Sequence, residues 1–142
     1  MARTRLESRA RARALQAVYA WDLRRDEELG HVAERVWDDL AVPSEERRIA
    51  GQIVRTLIAS REELDRQIAD ITANWRLERL GAVERSVLRL AAAELHRGET
   101  PSRVVIHEGV RLAERFGSAR SARFVNGVLD ALARRMGRLE VR

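Results

Sequence analysis

FGSARSARFVNGVLDAL, residues 116–132, decides how this chain reads. Gly117, directly after Phe116, is a helix stop suited to the left-handed position that closes a helix. A basic turn follows, with Arg120 and Arg123 set among small residues and Ser121 between them. A new helix then begins, because Phe124, Val128, Leu129, Leu132 and Met136 recur at helical spacing. Asn126-Gly127 interrupts that stripe. A glycine inside a core helix is expected where something else passes close by.

The stretches before it repeat the helical pattern. Residues 1–24 read as an extended arm leading into a helix. Arg3, Arg5, Arg9, Arg11 and Arg13 crowd its start, opposed only by Glu7. On a helical wheel Arg5, Arg9, Arg13 and Gln16 share a face with Tyr19 at its edge, while Ala10, Ala14, Ala17, Val18 and Trp21 make the apolar side. Asp26 to Leu40 forms a second stripe through Leu29, Val32, Val36, Trp37 and Leu40. Pro43 breaks the chain, and Ser44 is placed to cap a helix that Glu45 and Glu46 favour electrostatically. Ile49, Ile53, Leu57, Leu64, Ile68 and Ile71 then mark one long helix, or two if the capping-box pattern at Ser60–Glu63 restarts it. Trp75 closes this hairpin, and the three tryptophans sit on apolar stripes as core residues.

Arg79-Leu80-Gly81 makes a short connection. From Ala82 to His96 the apolar residues spread over more than one face, as in the central helix of a bundle. Gly98 ends that helix and Thr100-Pro101 opens the next, whose apolar side is Val104, Val105, Val110, Leu112 and Phe116. The whole is an all-α fold, one compact bundle of about seven helices by this periodicity. The Trp75–Gly81 region is the only seam. It separates helical halves at about 1–76 and 77–142, which share a core as two subdomains of a single domain spanning 1–142.

Composition agrees with this architecture and narrows function. The 142 residues carry 45% apolar and 35% charged side chains, enough for one real core. Net charge is +5 and every basic residue is arginine, which engages phosphate with two prongs and stacks on bases. There is no cysteine, hence no disulfide or thiolate chemistry, which suits a cytoplasmic protein. No run approaches the ~20 apolar residues of a membrane span. The longest, Val87 to Leu95, is broken by Arg89 and Glu94. The basic N-terminus lacks a clean apolar stretch behind it and reads as part of the mature fold.

Catalytic signatures are missing. There is no glycine-rich phosphate loop or nucleophile elbow, and His31, His96 and His107 are too scattered for a metal pair. The basic N-terminal segment and the Arg120–Arg123 turn lie at opposite ends of the chain. If folding brings them together, the arginines, Gln16, Tyr19, Phe116 and Asn126 supply charge, amides and rings, the inventory for single-stranded RNA. The alternative is that the arginines only solubilise a helix face.

TPSRVVIHEGVRLAERFGSARSARFVNGVLDALAR (Thr100 to Arg134) closely resembles the signature region of the NusB family of bacterial transcription antitermination proteins. RARALQAVYAWDL (Arg11 to Leu23) is similar to that family's arginine-rich start, and LGAVERSVLRLAAAEL (Leu80 to Leu95) to its buried helix. The likeness covers almost the whole length and is weakest between residues 25 and 75. It implies an all-helical fold in two subdomains, no catalysis, no cofactor and no metal. It implies binding of the boxA element of nascent RNA together with NusE, a ribosomal protein. The complex would act on elongating RNA polymerase and support processive transcription of ribosomal RNA operons. By position the RNA side would use Arg3, Arg5, Arg9, Arg11, Arg13, Gln16, Tyr19, Phe116, Gly117, Arg120, Ser121, Arg123, Phe124 and Asn126. The NusE side would lie around Glu78 and Glu84. Some family members resemble homodimers that hide the RNA surface, and an exposed Tyr19–Trp21 edge would allow that here.

The chain departs from the family pattern in places. Arg120 stands where an acidic residue is common, Ala12 and Arg13 where a Glu often follows the arginines, His107 for an Asn, and Gly109 for a usual Ala. The last should cost its helix about 1 kcal/mol. Three readings therefore stand side by side. One is an RNA-binding antitermination factor, and another is a helical protein-interaction module without sequence-specific RNA binding. The third is the recognition domain of an RNA-modifying enzyme, for which the length leaves no cofactor-binding domain.

Overall fold

A computed structural model of the chain describes residues 2–72 and 77–139, without the side chains of residues 2–4 and 78. Trp75 and the side chains of Arg3 and Glu78 therefore lie outside the described residues. Six α-helices are found among those described. They are α1 (Ala2–Leu23), α2 (Leu29–Asp39), α3 (Ser44–Ile71), α4 (Ala82–Arg97), α5 (Ser102–Phe116) and α6 (Ala119–Arg135), with a 3-10 turn at Leu77–Arg79 before α4. The count of about seven is met only if that turn is included.

α4 is the axis of the bundle. It packs on α1, α3, α5 and α6. Every residue from Ser86 to Leu95 is buried, as expected of a helix apolar around most of its circumference. The apolar side of α1 behaves likewise, with Ala10, Ala14, Ala17 and Val18 fully enclosed. One continuous core cluster draws side chains from all six helices.

Several local expectations are corrected. The basic start is helical from Ala2, not an extended arm. α3 runs unbroken through Ser60, since nothing around that residue interrupts its backbone hydrogen bonds. Ser44 is the first helical residue and makes no cap bond; Pro43 precedes it in extended geometry. Leu40, Val104 and Phe116 are exposed, because each falls at a helix end or on the outward edge of its stripe. Gly98 does close α4 in the left-handed conformation, with φ 74°. Gly117 does not, at φ −120°. Its glycine is required by crowding, since a Cβ there would lie 2.7 Å from the Ala113 carbonyl oxygen.

Candidate nucleic-acid interface

The outward face of α1 begins with Arg5 and Arg9, both exposed, and continues through half-buried Arg13 and Gln16 to exposed Tyr19. Helical spacing aligns these side chains. Arg5 has no ion-pair partner among the described residues. Arg9 and Arg13 both donate from Nε to Glu46, at 3.3 and 3.1 Å, and Arg13 Nη1 reaches Gln16 Oε1 at 3.3 Å.

Arg11 does not belong to this face. It is buried, donating to Glu94 at 2.7 Å and to Glu108 at 3.2 Å, while Ser8 also donates to Glu108. Burial works against its charge, but Glu94 and Glu108 outweigh that and raise its pKa further. Arg11, expected among the RNA contacts, is thus turned inward and pins α1 onto α4 and α5.

Below the α1 face, Leu15, Gln16, Tyr19, Val83 and Phe116 line a hollow of about 280 Å³. Phe116, the last residue of α5, is 38% exposed, and the Arg115 guanidinium lies 4.8 Å from its ring centre. So the amide and ring of α1 border one hollow with the ring that ends α5. The first turn of α4 supplies the floor through Val83.

The turn after Phe116 is anchored from within. Ser118 is the N-cap of α6 and accepts the Ser121 N–H at 3.1 Å. Ser121, also expected on the RNA face, is buried, and its hydroxyl donates to Glu84 Oε1. Glu84, expected to meet a protein partner, is half-buried and accepts this bond from the turn. Phe124 is half-buried against the core. Arg120 and Arg123 are exposed without an ion-pair partner among the described residues. Asn126 and Gly127 are also exposed, and a Cβ at Gly127 would meet nothing within 4 Å. The pair lies on the outer side of α6, so the expected close neighbour is not found among the described residues. Trp21 is buried, so an exposed Tyr19–Trp21 edge does not exist; Tyr19 and Leu23 are the exposed residues there.

Sequence reading missed Glu46, Arg115 and Ser118. Ser118 carried a usable signal, a serine directly before a helix. Glu46 carried none, because its partners are 33 and 37 residues away.

No described helix is long and apolar enough to cross a membrane. Residues 8–134 match the model of the NusB family. The chain is 41% identical over 131 residues to a transcription antitermination protein NusB of Anaeromyxobacter dehalogenans, spanning 92% of each. It is 40% identical over 138 residues to that of Sorangium cellulosum, spanning 94% of this chain and 95% of the other. Among solved structures, T. maritima NusB superposes with a TM-score of 0.82 at 32% identity over 90% of each chain. A chain in the crystal structure of antitermination factors NusB and NusE with dsRNA gives 0.81 at 33% identity, covering 95% of this chain and 99% of that one.

Proposed function

The chain belongs to the NusB family, and from that premise we propose that it is a transcription antitermination factor. It binds boxA RNA together with the ribosomal protein NusE and supports processive transcription of ribosomal RNA operons through the elongating polymerase. It works in the cytoplasm and performs no catalytic step. The observation that carries this reading is the shared hollow of Gln16, Tyr19 and Phe116, because it joins the two segments, remote in sequence, that hold the RNA-binding inventory. Halves at about 1–76 and 77–142 then divide the work, the first presenting the basic face of α1 and the second the turn into α6.

In this reading the RNA contacts come from Arg5, Arg9, Arg13, Gln16, Tyr19, Phe116, Arg120, Arg123 and Asn126. Rings stack bases and arginines hold phosphates, while Arg11, Ser121 and Phe124 support from beneath. The partner protein approaches the start of α4, beside Glu84.

Fluorescence anisotropy with labelled boxA-type and scrambled RNA, with and without NusE, across a salt series tests the reading. Preferential boxA binding, tightened by NusE, is expected. Equal weak binding of both RNAs with NusE present would make the arginines a solvated face and the chain a protein-interaction module. Arg120→Asp should weaken RNA binding and flatten the salt dependence by about 0.7 in log–log slope, the share of one single-strand phosphate contact. An unchanged slope removes Arg120 from the interface.

A further inference from the structure

Glu46 lies in the first turn of α3, where the helix dipole favours a carboxylate. Its neighbour Glu45 is exposed, but Glu46 is turned inward and buried. Its two oxygens each take the Nε–H of one arginine of α1, Arg9 at 3.3 Å and Arg13 at 3.1 Å. Those arginines are four residues apart and so stand on one face of α1. Arg13 passes the constraint on to Gln16.

The contrast with Arg11 is informative. Arg11 and both its carboxylates are enclosed, the mark of a structural pair. Around Glu46 only the carboxylate is enclosed, at 7% exposure, while Arg9 and Arg13 are 56% and 28% exposed. The Arg9 terminal nitrogens have no hydrogen-bond partner among the described residues. A guanidinium held by its Nε alone still offers those nitrogens, in a fixed plane, to a phosphate or a base edge.

We infer that Glu46 is a specificity-determining positioning residue for RNA, buried behind Arg9, Arg13 and Gln16 so that they meet the ligand in one arrangement. This rests on the RNA-binding reading above. Two opposing effects follow. Fixing the arginines lowers the ordering cost of a well-matched contact. A negative charge behind them weakens their general pull on phosphates. Glu46 therefore favours the matching RNA over others without raising affinity for RNA at large.

The test measures boxA-type and scrambled RNA binding across a salt series for the unchanged protein and for Glu46→Gln, which keeps the shape and removes the charge. Circular dichroism and thermal unfolding check the fold. The ratio of boxA to scrambled affinity should fall about tenfold, the order of one two-pronged contact losing its geometry. Scrambled RNA should bind more tightly, with a slope steeper by about 0.7. In a background of Arg9→Gln and Arg13→Gln, Glu46→Gln should have no further effect on RNA, which a purely structural role would not produce. Should Glu46→Gln unfold, Glu46→Asp keeps the charge and shortens the reach; it should lower the ratio and leave the slope unchanged. If the unchanged protein discriminates and these variants keep its ratio, this inference alone is overturned. Equal loss for both RNAs at constant slope also overturns it. If the unchanged protein does not discriminate, the RNA reading falls and this inference with it.

Discussion

Gly109 and Gly127 sit in neighbouring helices with opposite surroundings. A Cβ at Gly109 would lie 2.8 Å from Leu129 Cδ1, well inside carbon contact distance, where α5 meets α6. Helix propensity alone makes Gly109→Ala stabilising by about 1 kcal/mol, but overpacking costs about 1–3 kcal/mol. Overpacking should win because Leu129 is fully buried, so its methyl can shift only by displacing other core side chains. We expect urea unfolding to show a loss of about 1 kcal/mol for Gly109→Ala; a gain would mean that Leu129 repacks. Gly127 meets nothing, so Gly127→Ala should gain about 0.5–1 kcal/mol by propensity. In sequence both are glycines inside a helix. Steric crowding, which depends on the neighbouring helix, tells them apart.

At the scale of the element, α6 shows how a helix start becomes a site. Ser118 caps it, Ser121 fixes the cap to Glu84 of α4, and Arg120 and Arg123 are exposed on its first two turns. Ser118→Ala should cost about 1 kcal/mol in unfolding experiments, the usual worth of an N-cap. A smaller effect would show that the Ser121–Glu84 bond suffices to hold the turn. The helices themselves were largely legible. α6 does start early, at Ala119, so Arg120 and Arg123, expected in a turn ahead of Phe124, are already helical. But α4 and α5 lie within a residue or two of where periodicity, Gly98 and Pro101 put them, because those signals act over one or two turns. The capping-box pattern at Ser60 misled for the same reason, since a local motif cannot report that the backbone runs on through it.

At the scale of the molecule, Asp22 ties the end of α1 to α4 and, through Arg89, to α3. It is almost fully buried and pairs with Arg85 and with Arg89, the latter at 2.7 Å; Arg89 in turn reaches Asp65 of α3 at 3.0 Å. The Arg25, Arg61 and Arg89 guanidiniums surround the Trp21 ring at 4.8, 5.2 and 5.3 Å. Burial pushes the Asp22 carboxyl up, but Arg85 and Arg89 outweigh it and hold its pKa below the ordinary value. A carboxyl depressed in the folded state contributes stability that is complete above about pH 4 and is lost as pH falls through the folded value. Asp22→Asn should therefore lower stability by about 3 kcal/mol at neutral pH and flatten the acid limb of the stability curve. Thermal unfolding from pH 7 to pH 2 checks this, and an acid limb as steep as that of the unchanged protein would place the titration elsewhere.

By itself the sequence determined the helical class, the buried central helix and the two basic segments, because apolar period and charge are local properties of the chain. Only the tertiary structure decided which arginines face outward. The carboxylates that claim Arg9, Arg13 and Arg11 lie 33 to 97 residues away in sequence, and a charge is neutralised by what folding brings near it.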